Sequence, residues 1–73
     1  MGRKAPNPRD EQHKCDQWNR ANRIGAPVRI RLDSGKELDT ATRSEAVMLG
    51  GHTAVIWVHD VAGAYALDRV TAL

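Results

Sequence analysis

The run of residues 52–60 constrains the fold of this 73-residue chain more than any other segment. It is the most apolar stretch of the sequence, and two glycines, Gly50 and Gly51, precede it. A short run of β-branched and aromatic residues between turn-forming residues is typical of a strand buried on both faces. We therefore predict that this run is the central strand of the fold and that Trp57 lies largely buried in its core.

The length of the chain limits what this core can support. A domain of this size buries only about 60% of the surface that its unfolded chain exposes, so its stability is marginal. It has no room for a cofactor-sized cleft beside a complete core. No apolar run approaches the roughly 20 residues of a membrane span, and no apolar segment of a secretory signal follows the basic N-terminus. The lone Cys15 cannot form an intrachain disulfide, which favours a reducing, cytoplasmic location.

The clearest local prediction is a β-hairpin over residues 27–42. Its first half alternates between apolar and charged residues, as a strand with one buried face does. The apolar positions are Val28, Ile30 and Leu32, and the charged positions between them are Arg29 and Arg31. Residues 33–36 provide the turn, because Gly35 can adopt the positive φ that a tight turn needs.

One helix is predicted over about residues 10–23. Pro8 precedes it, and Asp10 can cap its first turn. Residues three apart share a helix face, and the apolar residues on this face are Cys15, Trp18 and Ala21. Residues 1–9 are rich in proline, asparagine and arginine, without apolar periodicity. We predict that they form a flexible basic arm before a single domain of residues 10–73.

Two interpretations of residues 43–49 stay open. Thr42 and Glu45 match a helix capping box, which favours a short helix. A helix of this length is marginal, and a third strand that leads through the glycine bend into the central strand is equally compatible. We favour the strand.

Two more short strands are predicted after the central one, at residues 64–67 and 70–73. A tight turn at Asp68 and Arg69 separates them. Strands of four to eight residues punctuated by turns predict a mostly β fold, in which residues 26–73 form a small barrel or a strongly bent sheet.

Four short motifs lie between residues 13 and 73. They are Cys-Asp-x-Trp-Asn at 15–19, Gly-x-Pro-Val at 25–28, Thr-Arg-Ser-Glu-Ala at 42–46 and Gly-Gly-His-Thr at 50–53. Together they resemble motifs of small SH3-like barrel proteins that bacterial phages, plasmids and other mobile elements encode. The resemblance implies a five-stranded SH3-like barrel with a tight single turn before the last strand, here at residues 67–70. It implies no particular activity, because a fold alone does not supply one.

The residue types that carry chemistry do not form a recognisable site. One residue separates His13 from Cys15, which is not the usual spacing of zinc ligands. His52 and His59 fall on opposite faces of a regular strand, and we expect His52 to bond backbone groups at the glycine bend. Cys15 lacks an evident base and oxyanion site. We therefore predict a protein that is not an enzyme, with no catalytic residue, metal or cofactor.

Charge is divided unevenly along the chain. Residues 1–31 carry eight basic and three acidic side chains, and residues 32–73 carry three basic and six acidic ones. The candidate contacts to a partner lie at the helix end and on the outer face of the first strand: Arg20, Arg23, Arg29 and Arg31. Contacts from these arginines to phosphates would depend on salt but not on sequence. We expect Trp18, Trp57 and Tyr65 to serve the core, which leaves no aromatic platform for single strands.

We predict a small non-enzymatic binding protein that acts mainly through protein–protein contacts. Its partner would be a host or phage protein, and an anti-CRISPR-like inhibitor of a nucleoprotein defence complex fits the resemblance. No membrane contact is expected. Exposed strand edges would pair with a partner or with a second copy, so the sequence leaves a monomer and a homodimer both open. The alternative is a nucleic-acid-binding module, for DNA or RNA, that uses the four arginines.

Overall fold

The computed structural model describes residues 7–73, which form one α-helix, six strands and one 3₁₀ turn. In chain order these are α1 Pro8–Ala21, β1 Pro27–Arg31, β2 Glu37–Ala41, β3 Val47–Leu49, β4 Thr53–Ile56, β5 Tyr65–Ala66, the 3₁₀ turn Leu67–Arg69 and β6 Val70–Ala72. The predicted mostly β fold with one N-terminal helix is confirmed. No helix in this described range is long and apolar enough to cross a membrane.

The helix begins two residues earlier than predicted. Asn7 rather than Asp10 caps it, because the Asn7 side chain accepts the backbone N–H of Arg9 at 2.9 Å. Pro8 fits the first helical position, where its missing N–H costs nothing. The last residues of the predicted arm therefore belong to the capped start of α1, and residues 1–6 lie outside the described residues.

The helix also ends earlier, at Ala21 rather than at Arg23. Asn22 turns to an extended conformation, while its backbone N–H donates to the carbonyl of Trp18 at 2.8 Å. Ala21 is left exposed. Of the predicted apolar face, only Cys15 and Trp18 pack in or against the core.

The strands form two antiparallel sheets of three strands each. The first sheet has the order β2-β1-β6 and the second has the order β3-β4-β5. An isolated bridge between Thr42 and Val58 joins them. Among the described residues the strands do not close into a barrel, and there are six of them rather than the five predicted. Before β5 the chain bends, with Asp60 and Gly63 at φ values of 66° and 79°, and β5 has only two residues.

The predicted hairpin is confirmed, since β1 pairs with β2 along its full length. Val28 and Ile30 are completely buried, while Leu32, just beyond the strand, is half-buried. The turn also matches the prediction. Gly35 has a φ of 90°, and the backbone N–H of Leu32 donates to the carbonyl of Lys36 at 2.8 Å.

The segment of residues 43–49 becomes a strand only in its second half, as β3. The capping-box sequence does not start a helix. The hydroxyl of Ser44 instead accepts the backbone N–H of Trp57 at 3.1 Å and donates to the carbonyl of Glu45 at 2.9 Å. Ser44 thus connects this segment to the end of β4, and the hydroxyl of Thr42, the predicted helix cap, accepts the backbone N–H of Gly25 at 3.0 Å.

One core lies between the two sheets and α1. Its largest fully buried apolar side chains are Ile30, Ile56, Val28, Val58 and Cys15. Trp18 and Tyr65 pack against it, as predicted. Trp57 is half-buried, as these two residues are, but it does not pack against this core, so its predicted place in the core is wrong. Ile56 and Val58 point inward, so the alternation of a strand turns Trp57 to the other side.

Candidate binding surfaces

α1 lies across the core-facing side of the second sheet and is anchored there at two polar points. Near its start, Glu11 Oε1 accepts the buried backbone N–H of Ala54 at 2.9 Å. Near its end, Asn19 bonds both backbone groups of Ala46: its Nδ2 donates to the carbonyl at 2.9 Å and its Oδ1 accepts the N–H at 2.8 Å. Between these anchors, Cys15 packs in the core. The helix therefore covers one side of the second sheet, and the other side faces away from it.

The anchor at Glu11 is part of a charged network. Lys14 Nζ lies 2.7 Å from Glu11 Oε2 and 3.1 Å from Asp68 Oδ1, so it links α1 to the 3₁₀ turn. The Lys14 ammonium and then the N–H of Ala54 hold the pKa of Glu11 below its ordinary value of 4.5. Hydrogen bonds to Glu11 and Asp68 raise the pKa of Lys14 above its ordinary value of 10.5. Both groups therefore stay charged across the neutral range.

The side of the second sheet that faces away from α1 carries an apolar face, which we define by Val47, Leu49, Val55 and Trp57. Val47 is 39% exposed and Leu49 is 53% exposed, and Val47 pairs with Val55 of β4. Val55 is only 4% exposed, yet it is not part of the common core. Its burial therefore comes from the outer side of the sheet. An aromatic side chain beside exposed aliphatic ones is typical of a protein–protein contact.

Several main-chain contacts fix the backbone that presents Trp57. Its N–H donates to Ser44 Oγ, and its carbonyl accepts the backbone N–H of Arg43 at 3.0 Å. Arg43 Nε also donates to the carbonyl of Val58 at 3.0 Å. The Thr-Arg-Ser part of the motif at residues 42–46 thus holds the junction between the two sheets.

The four arginines singled out in the sequence do not converge on one site. Arg29 and Arg31 line a cavity on the outer face of the first sheet, whereas Arg23 lines a separate groove of about 410 Å³ at the end of α1. Arg20 is exposed on α1 and lines neither. Two hydrogen bonds, of 2.7 and 3.1 Å, join Arg29 to Asp39, and they lower the pKa of Asp39. The basic surface is therefore divided, and part of it is neutralised.

The cavity on the first sheet has a volume of about 380 Å³. We call it the arginine cavity and define it by Arg29, Arg31, Arg69 and Thr71. The pairing of β1 with β6 brings Arg69 and Thr71 close to Arg29 and Arg31, although the two pairs are distant in sequence. No local pattern in the sequence predicts this meeting, and Arg69 was not identified as a candidate for that reason. The cavity is also lined by acidic side chains, so its charge is mixed.

Within residues 7–73, no three His, Cys, Asp or Glu side chains are grouped so that they could hold a metal ion. A hydrogen bond of 2.7 Å joins His52 Nδ1 to Thr53 Oγ1, so the ring bonds a side chain rather than the backbone groups expected from the sequence. His59 is exposed. Cys15 is buried, and this burial raises the pKa of its thiol, which keeps it protonated at neutral pH.

Comparisons of this chain with protein-family models, with curated proteins and with solved structures each found no match. The resemblance to mobile-element proteins therefore stays a prediction. The apolar face and the arginine cavity are the features from which a function can be inferred.

Proposed function

We propose that the chain is a non-enzymatic binding protein that docks on another protein through the apolar face. The observation that carries this proposal is the exposure of Val47 and Leu49 beside the half-buried Trp57. The other side of the same sheet packs in the common core, and Val47 and Leu49 take no part in that packing. Removing such a surface from water on contact with a partner is favourable.

The surroundings of the apolar face suit a preformed docking surface. Bonds from Arg43 and Ser44 hold the backbone of Trp57, and Asn19 holds the chain just before β3. Contact residues on paired strands lose little conformational freedom when they bind, which favours affinity. Trp57 is the expected anchor, because tryptophan is enriched among the residues that carry most of the energy of a protein interface.

The identity of the partner is proposed from the resemblance to small phage and mobile-element proteins. That resemblance supports a host or phage protein as the target, and an anti-CRISPR-like inhibitor of a nucleoprotein defence complex is its specific form. The free and buried Cys15 supports a cytoplasmic place of action.

We also propose that the fold is an opened SH3-like barrel. The bridge between Thr42 and Val58 and the 3₁₀ turn before β6 support this relationship.

The docking proposal is tested by capture of a partner from host extract, followed by measurement of its affinity for variants. Leu49→Lys places a charge in the centre of the contact and should abolish capture. Ile24→Lys is the matched control, because Ile24 is 57% exposed and lies outside the apolar face. If Leu49→Lys binds the same partner with unchanged affinity, the apolar face is not the docking surface.

Nucleic-acid binding is the second candidate function. The arginine cavity favours it, because Arg69 adds a third guanidinium to Arg29 and Arg31. The pairing of Arg29 with Asp39 weighs against it. Fluorescence anisotropy with labelled DNA and RNA at two salt concentrations tests it. The double variant Arg29→Ala/Arg31→Ala should bind more weakly and with a shallower salt dependence, and an absence of binding at low salt would exclude this function.

A further inference from the structure

The arginine cavity gathers hydrogen-bond donors from two strands and a turn. Arg29 and Arg31 point outward from β1, and Thr71 of β6 lies opposite Arg29 in the register. The pairing of Ile30 with Val70 places Arg69 next to Arg31. Three guanidinium groups and one hydroxyl therefore line a space of about 380 Å³, which is large enough for a tetrahedral anion.

The ion pairs that now occupy two of these arginines are open to solvent. Arg29 binds Asp39, and Arg69 binds Asp33, whose side chain is 81% exposed. Exposed ion pairs contribute little to stability, so a competing anion can replace these carboxylates at small cost. Within the described part of the chain, no carboxylate lies within 4.0 Å of the guanidinium of Arg31.

From this arrangement we infer that the arginine cavity is a binding site for a phosphate group, either free or carried by a larger ligand. A phosphate dianion has enough oxygens, arranged tetrahedrally, to accept hydrogen bonds from Arg31, Arg69 and the hydroxyl of Thr71 together. Asp33 and Asp39 are then competitors that the ligand displaces from their arginines.

Two further acidic side chains line the cavity and set its affinity. Asp68 is compensated by Lys14, which lies 3.1 Å away. Glu37 has no ion-pair partner among the described residues and lies opposite Arg31 in the register of β1 and β2. Its negative charge opposes the phosphate, so we expect affinity for inorganic phosphate alone to be modest. This inference does not depend on whether the apolar face binds a protein.

The test is a titration of the full chain with inorganic phosphate at constant ionic strength, followed by NMR of the backbone amides and the arginine Nε–H groups. Saturable shifts are expected at Arg31, Arg69 and Thr71. Arg31→Gln should weaken binding about tenfold, as the loss of a charge-assisted hydrogen bond does. Arg20→Gln, a substitution of the same kind outside the cavity, should leave the affinity unchanged.

Substitution of the carboxylates supplies a second test, in which the affinity for phosphate should rise rather than fall. If they compete with phosphate, then Asp33→Asn and Asp39→Asn each tighten phosphate binding. A parallel titration with short DNA and RNA strands separates the two sources of the phosphate. Tighter binding of a strand than of inorganic phosphate, lost with Arg31→Gln, identifies a nucleic-acid backbone, and equal affinity identifies a small phosphate ligand. The inference is overturned if phosphate causes no saturable shift, or if Arg31→Gln and Arg20→Gln bind it equally.

Discussion

The two sheets each bury one side in the same core, but they present different surfaces on the other side. In the first sheet, the outer positions of β1 are Arg29 and Arg31, and carboxylates of β2 lie opposite them. In the second sheet, the outer positions of β3 are Val47 and Leu49. Water solvates the first surface well, whereas the second remains partly apolar.

This difference shows how two kinds of strand sequence should be interpreted. A strict alternation such as that of β1 means one buried face and one solvated face. A continuous apolar run such as that around β4 means that both faces avoid water, but it does not say that one domain core covers both. In the second sheet, the core covers one face, and the apolar face is covered only partly. We propose that a partner protein covers the rest of it.

The largest expected effect tests whether the two sheets depend on one core. Ile30→Ala in the first sheet and Ile56→Ala in the second should each lower the free energy of unfolding by about 2–5 kcal/mol, since both side chains are completely buried. Ile24→Ala, at an exposed position, is the control. Urea unfolding followed by far-UV circular dichroism and by tryptophan fluorescence should give coincident transitions. A variant that unfolds one sheet and keeps the other would show that the two sheets do not depend on one core.

The next effect concerns the anchor that holds α1 on the second sheet. Glu11→Ala leaves the buried N–H of Ala54 without its acceptor, which costs about 1–3 kcal/mol. Gln12→Ala is the matched control, because Gln12 is exposed and bonds Asp16 on the same helix. Equal stabilities of the two variants, measured by chemical unfolding, would show that the helix does not need this anchor.

The same anchor should make the stability of the protein depend on pH. Because folding lowers the pKa of Glu11, its contribution is complete above the ordinary value of 4.5 and is lost as the pH falls through the lower pKa of the folded state. Glu11→Gln cannot ionise and should lose less stability between neutral pH and this acidic range than the unchanged protein does. Parallel curves for the two proteins would contradict this assignment.

A smaller effect is expected for Trp57, the residue for which sequence and structure disagree. Because its side chain is half-buried outside the core, Trp57→Ala should cost about 1–2 kcal/mol rather than the 3–5 kcal/mol of a fully buried tryptophan. The variant should remain folded by circular dichroism and lose partner binding. If the variant were unfolded, Trp57 would have to contribute to the core.

The smallest effects on stability belong to the outer surfaces themselves. Leu49→Lys should change the free energy of unfolding by no more than about 0.5 kcal/mol, as exposed substitutions usually do. Asp39→Asn, on the outer side of the first sheet, should produce no measurable change, because its pairing with Arg29 is exposed. A clear loss of stability in Leu49→Lys would mean that the apolar face contributes to folding and not only to binding.

The features that local sequence patterns control could be predicted. The hairpin follows from the alternation in β1 and from Gly35, and the turn before β6 lies at Asp68 and Arg69, where it is predicted. The start of α1 was misplaced because both Asn7 and Asp10 can cap a helix, and the pattern does not choose between them. Ala21 was assigned to the buried face because helical spacing does not reveal that Asn22 ends the helix.

The features that depend on tertiary contacts could not be predicted. Glu11 and Asn19 bond backbone groups of other elements, and a search for apolar periodicity passes over polar side chains. The arginine cavity requires the pairing of β1 with β6, which brings Arg69 to Arg31. The place of Trp57 outside the core depends on which side of β4 the helix covers, and a continuous apolar run carries no information about that choice.

The pair of hydrogen bonds between Asn19 and Ala46 has a consequence for how the protein behaves at high concentration. β3 is an edge strand with exposed aliphatic side chains, a combination that invites strands of other molecules to add to the sheet. An incoming strand would find both backbone groups of Ala46 already occupied by the Asn19 side chain. The side-chain amide of Asn19 thus shortens the part of the edge to which strands of other molecules can add, as they do in a fibril. The neighbouring apolar face stays exposed.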